Sequence, residues 1–281
     1  MQPVKLPFFA SKAQITPEFT AFMEYYKGKG LKHLYVSNQN EIPCLEDETE
    51  RCDLLRNFAN KMKGTLYLAV MPKNSPFYLQ KDEFATMTSA KDYKKALHDQ
   101  FFKIQHKKSG CYFSDGIKEE IKDLDKHCAR MIEQIHQKLF TEKKNGVVQP
   151  KENLSLEERR IFTEEFYDCL DKFLIVNLKV DSENSTCKDD IDRGAGHKTR
   201  KYGNALLLND LEKNLVHQIR FLVLMMVRAL FVRKRAPKID RVEMVEKVIQ
   251  YNTKRKEAFK KLHQSIFGDL KFIPLAPSAL G

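Results

Sequence analysis

Two short apolar runs, Lys32-His-Leu-Tyr-Val-Ser37 and Thr65-Leu-Tyr-Leu-Ala-Val-Met71, constrain the fold of this chain more than any other feature. Both have the length and β-branched or aromatic content of strands, and the segment between them, over about residues 48–62, reads as a helix that turns from acidic to basic. A helix ahead of the first run opens at Pro17, with Thr16 placed to cap it, and extends to about residue 27. Strands alternating with helices predict a helix-rich α/β chain with a small central sheet.

The remaining pattern is mostly helical. A helix is expected over 82–106 and a short extended segment at Tyr112-Phe113. Ile117, Ile121, Leu124, Cys128, Met131, Ile132, Ile135 and Leu139 form one apolar stripe of a helix over 116–140. Residues 141–153 read as a loop or internal linker within a single domain. Ser155-Leu-Glu-Glu158 is a capping-box pattern opening a helix to about residue 170. The run Phe173-Leu-Ile-Val-Asn-Leu-Lys-Val180 then predicts a buried strand, ended by the turn-like run Asp181-Ser-Glu-Asn-Ser-Thr186. A helix from about residue 204 carries Leu207, Leu208, Leu211, Leu215, Ile219 and Leu222 at three- and four-residue steps. Residues 221–232 read as the buried half of that central helix, too short to span a bilayer. A last long helix is expected over 240–267.

Between the predicted strand and that helix lies Cys187-Lys-Asp-Asp-Ile-Asp-Arg193, followed by Gly194-Ala-Gly196. Strand, short loop, glycines and helix bring successive backbone N–H groups toward one anion at a helix N-terminus. A cysteine attacks as thiolate, so nearby N–H dipoles and cations must stabilise that thiolate. Arg193 can grip two phosphoryl oxygens with its planar fork, and Lys188 adds a cation for a heavily phosphorylated substrate. Asp192 and Asp190 are the carboxyl groups inside the loop that can serve a leaving group, with Asp192 the expected proton donor. His197, Lys198 and Arg200 extend the positive funnel beyond it, joined by Lys201.

This loop resembles that of cysteine-dependent phosphoinositide phosphatases, in particular bacterial effector enzymes of the SopB, SidF and SidP type, and is similar to the loops of myotubularin and Sac-type lipid phosphatases. The resemblance implies a protein-tyrosine-phosphatase-like core. It also implies Cys187 as nucleophile, Arg193 as phosphate ligand, Lys188 as a recognition residue and Asp192 as general acid. The sequence departs from that pattern at Gly194, where the family usually has Ser or Thr, and at Thr186, where tyrosine phosphatases usually have His. Asp189 and Asp190 also stand where small residues are usual.

The formal charge of +11 favours acidic partners. A phosphoinositide or inositol phosphate substrate and peripheral contact with anionic membrane are expected. Basic clusters at 233–238 and 254–261 are available for that contact, whereas no nucleic-acid motif is present and no nucleic acid is expected. The six cysteines lack paired spacing, so reduced thiols in a cytoplasmic setting, or in an effector delivered into a host cell, are expected, with no metal and no cofactor. No signal peptide or transmembrane helix is expected. The function expected is metal-independent phosphomonoester hydrolysis through a phosphocysteine. The alternative is a non-catalytic basic helical module that binds anionic membrane or RNA.

Overall fold

The two apolar runs pair side by side. In the computed structural model, which describes residues 14–40, 46–187 and 190–273, the chain begins α1 (Pro17–Lys29), β1 (His33–Ser37), α2 (Glu46–Lys61), β2 (Leu66–Val70), α3 (Pro76–Leu79), α4 (Ala90–Phe102), α5 (His106–Ser109), β3 (Tyr112–Phe113), α6 (Asp115–Glu120) and α7 (Leu124–Leu139). A hairpin of β4 (Thr141–Lys144) and β5 (Val147–Pro150) leads to α8 (Leu156–Leu178) and β6 (Ser182–Thr186). Four helices follow: α9 (Arg193–Leu208), α10 (Leu215–Arg233), α11 (Ile239–Lys254) and α12 (Lys256–Phe267).

The architecture is helix-rich α/β around a small mixed sheet of order β3-β2-β1-β6. β1 runs parallel to both β2 and β6, with His33 opposite Leu66 and Ser182, and β3 is antiparallel to β2. Side chains alternate across the sheet, as the period of two requires. Leu34, Val36, Tyr67 and Ala69 join the main core with residues of α4, α7 and α8. Leu66, Leu68 and Val70 face Met23 of α1 and Ala59 and Met62 from the α2 side. With both faces covered, β2 is buried throughout and β1 at every residue but the half-buried Tyr35, which explains their apolar sequences.

From β1 the chain moves through α2 to β2 and outward to β3, then returns on the opposite side of β1 as β6. The carboxyl ends of β1 and β6 therefore lie side by side at the point where the strand order reverses, the kind of place where open α/β sheets bind their ligands. Asn38, just beyond β1, ties these ends together: its Nδ2 donates to Ser185 Oγ at 2.9 Å and to the Thr186 carbonyl at 3.2 Å.

Several sequence expectations need correction. Residues 173–178 are the end of the 23-residue α8, and the strand is instead the polar run Ser182–Thr186. A fully buried helix segment and a buried strand present the same unbroken apolar run, so periodicity cannot separate them. The polar strand is held by its pairing to β1 along five residue pairs and by hydrogen bonds of its Ser182, Asn184 and Ser185 side chains to His33 and Asn38, not by apolar burial. The capping box holds: Ser155 Oγ accepts from Glu158 N–H at 3.2 Å, and Glu158 Oε2 accepts from Ser155 N–H at 3.0 Å.

Residues 141–150 form a hairpin instead of a linker, because Asn145 and Gly146 adopt φ of 53° and 82° and close a tight turn. The stripe across 207–222 spans two helices. Asn214 accepts from the N–H groups of Val216 and His217 at 3.0 and 3.3 Å and starts α10 afresh. The stripe over 116–140 is buried as expected but is divided between α6 and α7, with Asp123 at φ 54° between them. The helix expected over 240–267 is likewise divided at Arg255.

The aromatic centre of the main core includes Phe162, which stacks on Phe140 at 4.8 Å and meets Tyr93 edge-on at 5.5 Å. Truncating Phe162→Ala leaves a cavity among these rings and is expected to destabilise the protein by about 3–5 kcal/mol, measured by urea unfolding.

Candidate functional site

β6 ends at Thr186, Cys187 follows, and Arg193 is the first residue of α9. The strand–loop–helix unit expected around the Cys187–Arg193 spacing is therefore present, shifted so that the polar strand and an earlier helix start flank it. Lys188 and Asp189 lie outside the described residues. Cys187 is 8 % exposed. Lys198 and Arg228 lie close enough to interact with a thiolate there: burial lowers the pKa of each cation, and a Cys187 charge raises it.

Arg193 lines a narrow pocket with Asp192, Lys73, Arg200, Arg241 and Tyr78, and Glu164 sits in its wall. Lys73 comes directly off the carboxyl end of β2 and its Nζ donates to Glu164 Oε2 at 2.6 Å. Arg200 also pairs with Glu164, and Tyr78 donates its hydroxyl to the same carboxylate. Burial, followed by the nearby Arg200 and Arg241 charges, pulls the Lys73 ammonium well below its ordinary value. Lys73 and Arg200 pair with Glu164, so with Arg193 and Arg241 the lining carries four basic side chains and two acidic ones. Cys187 does not contribute to its lining; the cysteine and arginine ends of the loop face different neighbours.

The other expected residues fall into two groups. Asp190, at φ 53°, accepts from Lys198 Nζ at 2.6 Å and pairs with Arg228. Its Oδ1 lies against the start of α9: a Cβ added to Gly194 would fall 1.8 Å from it and 3.2 Å from Thr186 Cα. A side chain at this position, such as the Ser or Thr usual in the resembled family, must displace the Asp190 carboxylate. Asp192 is gripped by Arg235, with Nη2 at 2.7 Å and Nη1 at 3.1 Å, and accepts the Lys238 N–H at 3.0 Å. Although burial opposes ionisation, these donors hold its carboxyl below the usual range. In this arrangement Asp192 is a carboxylate tying the loop to the segment after α10, and it must take up a proton before it can act as the expected acid.

His197 and Arg200 point into a buried polar seam between α9 and α8, so His197 has no open side toward the loop. Its Nε2 donates to Asp171 Oδ2 at 3.1 Å, and its Nδ1 accepts from Arg200 Nη2 at 3.2 Å. An arginine can only donate, so the proton of this neutral imidazole sits on Nε2. Lys201 Nζ reaches the same Asp171 oxygen at 2.7 Å and Glu183 at 2.9 Å. Asp168 accepts from Lys172 at 2.7 Å and from Asn204 at 3.0 Å, while Glu165 accepts from Asn252 at 2.8 Å. Burial works against the ionisation of Asp168 and Asp171, but Lys172 and Lys201, respectively, keep both low. Burial and the Asp168 charge push Glu165 up to about 8.

Sequence reading missed Lys73, Arg241, Arg228 and Arg235. Lys73 carried a signal, since it follows a parallel strand at its carboxyl end. The three arginines reach the site from later helices and their connection, and local sequence gives no sign of that approach. Comparison with protein-family models, with curated proteins and with solved structures returned no match.

Two predictions follow from this packing. Gly194→Ser should destabilise the fold by about 1–3 kcal/mol through overpacking. Because the clash is with Asp190, part of that loss should disappear in Gly194→Ser/Asp190→Ala, read as a positive coupling in a double-mutant cycle. Glu165 keeps its proton to about pH 8 in the folded chain but releases it near 4.5 when unfolded. The folded state thus binds the extra proton between these values, and stability falls as pH rises through them. Glu165→Gln should therefore gain stability relative to wild type steadily from about pH 5 to pH 8, measured by denaturant unfolding across that range.

Proposed function

We propose that the protein is a metal-independent phosphatase of phosphoinositides or inositol polyphosphates, built on a protein-tyrosine-phosphatase-like core. The observation that carries this reading is the placement of Cys187 at the end of a parallel strand and Arg193 at the first turn of the next helix, beside the sheet's switch point and a cation-rich pocket. The Cys187 thiolate attacks phosphorus and forms an S–P bond as the ester P–O bond breaks. Arg193 and the N-terminal amides of α9 hold the phosphoryl oxygens. Lys73 and Arg241 receive a further phosphate of the same substrate. Once substrate phosphate draws Arg235 away, Asp192 takes up a proton from solvent and passes it to the leaving alkoxide, and water then cleaves the S–P bond to release phosphate. The protein acts at the cytoplasmic face of a membrane, as an effector or a resident enzyme.

A second reading is favoured by Asp190. Its carboxylate lies against the N-terminus of α9 and is matched by Lys198 and Arg228, so a negative charge already sits in the loop. On that reading the chain binds anionic surfaces without catalysis.

Phosphate release from a phosphoinositide panel in the presence of EDTA separates the two. The phosphatase reading expects release that vanishes in Cys187→Ser and falls by about 10²-fold or more in Arg193→Lys. Turnover retained by Cys187→Ser would sink the mechanism. No release from any lipid, soluble inositol phosphate or phosphotyrosine peptide would favour the binding module.

A further inference from the structure

The residues expected to be the buried half of a central helix are on the surface instead. In α10 only Met225 and Ala229 are buried, whereas Leu215, Ile219, Leu222, Val223 and Leu230 are each 46–68 % exposed. These five recur at three-, four- and seven-residue steps and so project from one side of the helix. Phe231, beside them, is 81 % exposed. A continuous apolar surface of this kind marks a contact that the isolated chain leaves unmade.

Charge identifies the occupant. Between Glu212 and Asp240 the sequence contains no acidic residue and seven basic ones: Lys213, Arg220, Arg228, Arg233, Lys234, Arg235 and Lys238. A symmetric contact with a second copy would bring this positive segment against itself. An apolar helix face bordered by Arg and Lys instead matches the headgroup boundary of an anionic bilayer. A convex helix face also suits a plane better than it suits a groove-binding partner. The other basic segment is less available, because Lys256 and Lys260 are engaged by Asp210 at 2.6 and 2.7 Å.

By length and composition α10 could cross a membrane, with 19 residues and a mean hydropathy of 1.8. Its inner side is committed to the protein, however. Tyr202 Oη and His217 Nδ1 lie 2.6 Å apart, Phe221 packs so closely on Gly203 that a Cβ there would come within 2.9 Å, and Arg228 pairs with Asp190.

We propose that α10 lies flat in the interface of an anionic membrane, its Leu222 face in the acyl boundary and its cations among the headgroups. Arg228 and Arg235 contact Asp190 and Asp192, so the docked helix sets the Cys187–Arg193 loop beside the lipid headgroups. Only this last clause rests on the phosphatase reading; docking does not require catalysis.

The test is co-sedimentation of the full chain with phosphatidylcholine vesicles, with and without about one quarter phosphatidylserine. Wild type and Cys187→Ser should both sediment with the phosphatidylserine vesicles and not with phosphatidylcholine alone. Leu222→Asp and Lys234→Glu lie on the exposed face and should retain a native circular dichroism spectrum. Leu222→Asp should weaken binding at least about tenfold, and Lys234→Glu should weaken it by less. Absence of binding to phosphatidylserine vesicles, or equal binding by wild type and Leu222→Asp, overturns the proposal. So does a wild-type dimer in light scattering that Leu222→Asp converts to monomer, which would assign the face to a second copy. Absence of phosphatase activity in a wild-type protein that binds the vesicles would refute the catalytic reading alone.

Discussion

The buried polar seam between α8 and α9 is the constraint on which the site depends. α8 is covered so completely that Glu164, Glu165, Asp168, Asp171 and Lys172 are all removed from water. An unpaired charge in that position would be prohibitively unfavourable, so every one of these groups must find a partner as the helices meet. The partners on α9 are His197, Arg200 and Asn204, at steps of three and four, with Lys201 beside them. That spacing is one helix face, and Arg193 lies on the same face one turn earlier. The seam therefore sets the rotation of α9 about its axis and aims the arginine of the loop at the pocket. Breaking a buried pair by removing one partner typically costs about 3–5 kcal/mol, whereas an all-apolar contact could be equally stable. Its contribution is registry as much as stability.

Around this frame the charges are distributed unevenly. The pocket holds more basic than acidic side chains, while Asp190 and Asp192 of the loop are each secured by an arginine from α10 or just beyond it. The loop is thus tied at these two positions to a helix with a large exposed apolar face. An anion entering the pocket and a surface covering α10 would act on the same set of ion pairs, which gives the loop two neighbours capable of changing its state.

Much of the local structure was legible from the chain. Thr16 and Pro17 start α1, Ser155 and Glu158 box the start of α8, and two apolar runs become adjacent parallel strands. In each case the signal is local: a cap satisfies N–H groups three residues away, and a strand buried on both faces needs apolar side chains in succession. The Cys187–Arg193 unit was legible as strand, loop and helix, although its limits were not. Phe173-Leu-Ile-Val has the composition of a strand and folds as helix, while Ser182-Glu-Asn-Ser-Thr186 has the composition of a turn and folds as strand. Composition reports burial, and burial does not choose between the two backbones.

By itself, the sequence determined where caps, turns and apolar runs fall, and that Cys187 and Arg193 stand six residues apart ahead of Gly194, because these depend on neighbours along the chain. Only the tertiary structure decided that a polar run joins the sheet, because β1 offers it a free edge to pair with. It also decided that Lys73 and Arg241 complete the pocket and that Asp192 is held as a carboxylate by Arg235. The apolar α10 remains outside for a similar reason: α8 already fills the centre, and its polar partners come from α9, α11 and the segment after β2, leaving α10 only its inner side to bury. Partners distant in sequence are chosen by packing and charge in three dimensions, and no local pattern encodes them.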